Sequence, residues 1–176
     1  MPRQTTEMIF VHCSATKPSM DIDAKTIDRW HRERGFLKIG YHFVIKRDGT
    51  KEVGRDLMEA GAHVKGYNHK SIGLCLIGGV SESDVNTPDN NFTSEQWVTL
   101  KNLILDLKEQ FPDAKISGHN EVSSKACPSF DVQEWLVSSG INKPVSITTP
   151  EEKELLEEKR KQYRAEQLEL FGTKED

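Results

Sequence analysis

Cysteines and aromatics are scarce in this sequence, long apolar runs are absent, and neither charge is in large excess. Each shortage removes a class of protein. Only three of the 176 residues are cysteine. A small, odd number argues against a disulfide framework and suits a reducing compartment. No stretch approaches the roughly 20 apolar residues that span a bilayer. The run Met8 to Val11 is too short for the core of a secretion signal, and no basic region leads into it. A cytoplasmic protein with no membrane segment and no export signal of its own is therefore expected. Lys and Arg number 24 against 28 Asp and Glu, a net charge of −4. Residues 145–176 carry 6 of the basic and 9 of the acidic residues, so the rest is almost neutral. That balance lacks the basic footprint of a nucleic-acid binder, and no direct nucleic-acid binding is expected.

The patterning that is present reads as alternating strands and helices. Met8 to His12 is a short buried strand, and Ile22 to Arg34 a helix capped by Asp21 or Asp23 and stopped by Gly35. Tyr41 to Lys46 and Lys51 to Gly54 flank Asp48-Gly49, a hairpin signal. Ile72 to Ile77, closed by Gly78-Gly79, suits a central strand, and the polar stretch Ser81 to Asn91 a surface loop. Thr93-Ser94-Glu95-Gln96 is a capping box that opens a helix to about Gln110, with Trp97, Leu100, Ile104 and Leu107 on one face. Lys115 to Gly118 is a short strand that delivers His119, and Asp131 caps a last helix through Val137. The interleaving predicts an α/β fold: one domain over residues 1–137, with a mixed central sheet flanked by helices. Residues 138–149 read as a linker and residues 150–176 as a charged helical extension opened by Thr149-Pro150-Glu151-Glu152.

Two segments carry chemistry. His12 follows the first strand, and the run from His119 to Asp131 offers an imidazole, the Lys125 ammonium and the Cys127 thiol. His and Cys are natural ligands of a borderline-soft ion such as zinc. Two His and one Cys leave a fourth tetrahedral position open, as a catalytic site requires. Cys13 neighbours His12, but successive strand side chains point to opposite faces, so Cys13 is expected in the core, as is Cys75. Glu121 suits an outer-shell or surface role near His119. His42 alternates away from Tyr41 and is expected either to be structural or to line a second wall, while His31 and His69 are expected on the surface.

The segments Val11-His12-Cys13-Ser14-Ala15-Thr16, Gly40-Tyr41-His42-Phe43, Lys46-Arg47-Asp48-Gly49-Thr50, Lys65-Gly66-Tyr67-Asn68-His69 and Lys125 to Asp131 stand in one order. Through them the chain, from His12 to about Trp135, resembles the zinc-dependent N-acetylmuramoyl-L-alanine amidases, above all the lysozymes of short-tailed bacteriophages. The resemblance implies zinc held by His12, His119 and Cys127, with Tyr41 and Lys125 as the catalytic pair. It implies cleavage of the amide between N-acetylmuramic acid and L-alanine of peptidoglycan. The loop Gly61 to Asn68 resembles the family's cleft loop, with His63 a candidate substrate contact and Asn68 a hydrogen-bonder that fixes the loop. Resemblance further implies inhibition of a phage single-subunit RNA polymerase, and access to the wall only after another protein permeabilises the membrane. A monomer is expected.

The rival reading is a non-catalytic peptidoglycan-binding or polymerase-regulatory module on the same fold. Loss of a ligand would mark it, and all three are present here. Near the C-terminus, Gln167-Leu168-Glu169-Leu170-Phe171 resembles the pentapeptide by which bacterial proteins bind the DNA sliding clamp. Leu170 and Phe171 would enter an apolar groove, with Gln167 and Leu168 completing the contact. A helix end folded onto the domain is the competing reading of these residues.

Overall fold

Five strands form one mixed sheet in the computed structural model, which describes residues 1–142. They are β1 (Met8–Cys13), β2 (Phe43–Ile45), β3 (Lys51–Val53), β4 (Ser71–Leu76) and β5 (Lys115–Gly118), in the spatial order β3-β2-β4-β1-β5. β1 lies parallel to β4 and β5, and β2 parallel to β4; only β3 runs antiparallel, as the return of a hairpin. Gly49 sits in that turn at φ +84, which the Asp48-Gly49 pair allows. The sheet carries α1 (Ala24–Glu33), α2 (Ser94–Gln110) and α3 (Val132–Ser138). This is the expected α/β domain. Among the described residues no helix is long and apolar enough to cross a membrane.

The helix ends follow from local chemistry. Asp23, of the two candidates, caps α1 by accepting from the Thr26 N–H. Thr93 and Gln96 cap α2 reciprocally, and Asp131 accepts from the Glu134 N–H to open α3. Gln96 does more than cap. It is fully buried, and its Nε2 donates to the carbonyls of Ile45 (3.1 Å) and Ile77 (2.9 Å), joining α2 to the sheet.

Strand alternation divides the core in two. Ile9, Val11, Ile72, Leu74 and Leu76 face Leu100, Ile104 and Leu107 of α2 and Leu136 of α3. On the other side Val44, Cys75 and Ile77 meet Ile27 of α1 and Ile39. Cys13 and Cys75 are both buried in these cores, as expected. Beyond α3, Ile141 packs against the first core and Lys101 Nζ donates to the Ser139 carbonyl at 2.8 Å. Residues 143–149 of the expected linker, the expected helix over 150–176, and Gln167, Leu168, Leu170 and Phe171 lie outside the described residues.

Candidate metal centre

In open sheets with parallel strands, sites form at the carboxyl ends of the strands. β1 reaches that end at His12. Its parallel register pairs Val11 with Gly118, so His119 follows β5 abreast of His12, and their rings stand 4.7 Å apart. His119 opens a 3-10 turn, His119–Glu121. The Glu121 carboxylate fixes that turn by accepting from the Gly118 N–H (2.6 Å) and from Gln133 Nε2 (3.2 Å). Glu121 thus supports the backbone that carries His119 rather than its ring.

Cys127 arrives on the loop between this turn and α3. Ser129 Oγ, donating to the Gly79 carbonyl at 2.7 Å, ties the loop to the end of β4, and Ser123 Oγ donates to the His119 carbonyl at 3.0 Å. The Cys13 N–H donates to Cys127 Sγ at 3.2 Å. That sulfur lies 3.7 Å from His12 Nδ1, and the ligand atoms of His12, His119 and Cys127 all fall within 4.8 Å of one another. Three donors from two distant segments therefore converge on one point, and they could hold a metal ion.

The electrostatics suit a cation. Burial holds His12 well below the ordinary histidine range, and the neighbouring His63, His119 and Lys125 add to the effect. Burial and then Lys125 lower His119 as well. Both rings are thus neutral near pH 7, the state in which imidazole binds metal. A hydrogen bond with the Cys13 thiol, and then burial, push the Cys127 thiol up. A bound cation opposes that rise and favours thiolate.

Tyr41 lies just before β2, its ring 5.1 Å from that of His12. Burial raises its phenol well above the usual range, and Cys75, Cys127 and Cys13 raise it further. It remains a protonated hydrogen-bond donor. Lys125 is exposed on the Cys127 loop, where its backbone N–H donates to Ser123 Oγ at 3.3 Å. Its charge is felt at both His12 and His119.

His63 lies on the other edge of the His12 ring, with Nδ1 2.9 Å from His12 Nε2 and its own Nε2 3.3 Å from Ser71 Oγ. Both ring nitrogens of this candidate substrate contact are therefore engaged by protein. Asn68 fixes the loop, its Oδ1 accepting from the N–H groups of His63 (2.8 Å) and Val64 (3.0 Å). His42 is structural: its Nε2 donates to the Glu59 carbonyl at 2.8 Å and its Nδ1 accepts from the Gly73 N–H at 3.0 Å. His31 corrects the sequence reading. It is buried rather than on the surface, and its Nδ1 accepts from the Gly40 N–H at 2.8 Å. Gly35, at φ +88, reverses the chain after α1 and folds Phe36 back over the His31 ring. His69 is exposed as expected. Ser71 is not legible as a functional residue in the sequence, because a serine at the start of an apolar strand carries no signal of its own.

The mixed sheet thus brings two imidazoles, at the ends of adjacent parallel strands, together with a thiol on a neighbouring loop, an arrangement that could hold one metal ion. Residues 2–130 match the N-acetylmuramoyl-L-alanine amidase family, to which this chain belongs. The endolysin of Enterobacteria phage T3 is 52% identical over 134 residues, covering 76% of this chain and 87% of that one. The endolysin of Escherichia phage T7 is 52% identical over 133 residues, with the same coverage. Among solved structures, N-acetylmuramoyl-L-alanine amidase LysC from Clostridium intestinale aligns with a TM-score of 0.65 at 28% identity, covering 77% of this chain and 86% of that one. Drosophila PGRP-LB aligns at 0.63 and 25% identity, covering 84% and 92%.

Proposed function

We propose that this chain is a zinc amidase that hydrolyses the bond between N-acetylmuramic acid and L-alanine of peptidoglycan, with His12, His119 and Cys127 holding the ion. The convergence of those three donors carries the reading. Zinc bonds of about 2.3 Å to sulfur and 2.0–2.1 Å to nitrogen, at a tetrahedral angle, separate the two donor atoms by about 3.6 Å. The separation between Cys127 Sγ and His12 Nδ1 is 3.7 Å. That pair therefore matches the spacing zinc requires, and His119 brings its donor within 4.8 Å of both.

When bound, zinc supplies a Lewis acid that acidifies water and polarises the amide carbonyl. The chain's own residues attend to the rest. Amide hydrolysis gathers negative charge on the carbonyl oxygen, and donors aimed at that charge usually supply the largest electrostatic contribution. Lys125 brings an ammonium on the same loop as Cys127. Tyr41 brings a phenol that stays protonated, so it orients and donates rather than acting as a base. Tyr41→Phe and Lys125→Ala are expected to keep zinc and lose about 10²–10³ in turnover. Full wall-lytic activity in both variants would remove these roles.

The site of action on this reading is the cell wall, reached from the host cytoplasm once another protein has permeabilised the membrane. Two partners are proposed from sequence resemblance. Titrating the protein into transcription by a phage single-subunit RNA polymerase tests the first, and no inhibition at saturating protein rejects it. Calorimetry of a peptide spanning residues 163–176 against the bacterial sliding clamp tests the second. Equal binding by a Leu170→Ala, Phe171→Ala peptide rejects a specific contact.

A further inference from the structure

We infer that His63 and Ser71 are positioning residues that set the tautomer of His12, leaving its Nδ1 bare toward Cys127. The Ser71 hydroxyl has one hydrogen, and Ser71 Oγ lies 2.8 Å from the Tyr67 carbonyl, which can only accept. That hydrogen is committed there. Ser71 Oγ must then accept from His63, so His63 Nε2 carries the proton of its contact with Ser71 (3.3 Å). Neutral imidazole carries one proton, so His63 Nδ1 is a lone pair. It stands 2.9 Å from His12 Nε2, which must donate. His12 Nδ1 is left without hydrogen, 3.7 Å from Cys127 Sγ. A backbone carbonyl thus orders three polar side chains in series, and the last presents its lone pair at the metal centre.

The fold reserves space for this relay. A Cβ at Gly73 would lie 2.7 Å from the His63 ring and one at Gly61 would lie 2.4 Å from it, so the ring occupies a slot that exists because both residues are glycine. Asn68 holds the His63 backbone from the other side. With both nitrogens committed, His63 acts on the ligand His12 rather than on substrate. The consequence for metal affinity rests on the zinc reading above, whereas the tautomer itself does not.

Two-bond ¹H–¹⁵N correlation spectra of the metal-free full chain, labelled in its imidazole nitrogens, read the tautomers directly. At neutral pH, His12 and His63 are both expected with the proton on Nε2. Zinc affinity, measured by chelator competition, supplies the second readout. His63→Leu and Ser71→Ala should weaken it about 10- to 100-fold, as loss of an outer partner of a ligating histidine does. His63→Asn, whose Oδ1 can replace the Nδ1 lone pair, should recover most of the loss. A proton on His12 Nδ1 in the unaltered chain would overturn the proposal without any variant having to fold. Unchanged zinc affinity in both His63→Leu and Ser71→Ala would overturn it as well. A chain that shows the expected tautomers but binds no zinc would reject the metal reading and leave the relay standing.

Discussion

The six histidines occupy quite different environments, and their burial decides what each can do. His42 is fully buried with both nitrogens committed, and burial pulls its pKa down to about 4 despite the favourable Glu59 carbonyl. Above about pH 6.5, His42 is neutral in both folded and unfolded chains and contributes no pH dependence. Below that, only the unfolded chain binds the proton, so stability falls with pH until the folded value near 4, by at most about 1.4 kcal/mol per pH unit. Urea midpoints of the metal-free protein should therefore drop from pH 7 to pH 5. The drop should be shallower in His42→Gln, and equal slopes would show that His42 does not remain neutral on folding. The cysteines separate just as clearly. Cys127→Ser should weaken zinc binding far more than Cys13→Ser, since only the first removes a soft thiolate donor. Serine at position 13 keeps the backbone N–H that donates to Cys127 and offers a hydroxyl in place of the neighbouring thiol. Equal metal loss in the two variants would reverse the ligand assignment.

At the scale of elements, α2 shows how local chemistry and packing reinforce one another. Thr93 and Gln96 satisfy each other's backbone at the first turn, while Gln96 also bonds two strand carbonyls. Thr93→Ala should cost about 1 kcal/mol, the usual loss of a cap. Gln96→Leu should cost more, about 2–3 kcal/mol, because it removes two buried hydrogen bonds to the sheet and takes the Oε1 acceptor from the Thr93 N–H and from Arg47. Chemical denaturation that ranks them the other way would contradict this account of the helix–sheet joint. Such elements were legible because their signals are local: the capping box, the Asp48-Gly49 turn and Asp131 each act within four residues. His12, His119 and Cys127 were legible as metal-ligand types, and family resemblance joined them. The His63 relay was not legible. It depends on a loop before β4 that brings His63 against His12, 51 residues away, and on two glycines whose missing side chains make the slot. His31 was misplaced for a related reason. Helical periodicity does not reveal that the chain beyond Gly35 returns to cover it. Gly73→Ala should push His63 out of place and lower zinc affinity while α2 and its cap persist. Unaltered affinity would show that the slot tolerates a methyl group.

Across the whole molecule, the parallel placement of β4 and β5 on either side of β1 converts sequence distance into proximity. It sets His12 beside His119 and lets the loop before α3 close over both with Cys127. One sheet face is given to the core beneath α2 and α3, and the other holds the buried histidines and Tyr41. On the proposed reading, this centre cleaves the muramoyl–alanine amide with zinc. Mass analysis of purified peptidoglycan digested with the zinc-loaded protein, with chelator added, and with zinc restored tests it most directly. Stem peptides with free N-terminal alanine and uncut glycan strands are expected, lost on chelation and restored with zinc. Chelator-insensitive release, or newly cleaved sugar–sugar bonds, would contradict it.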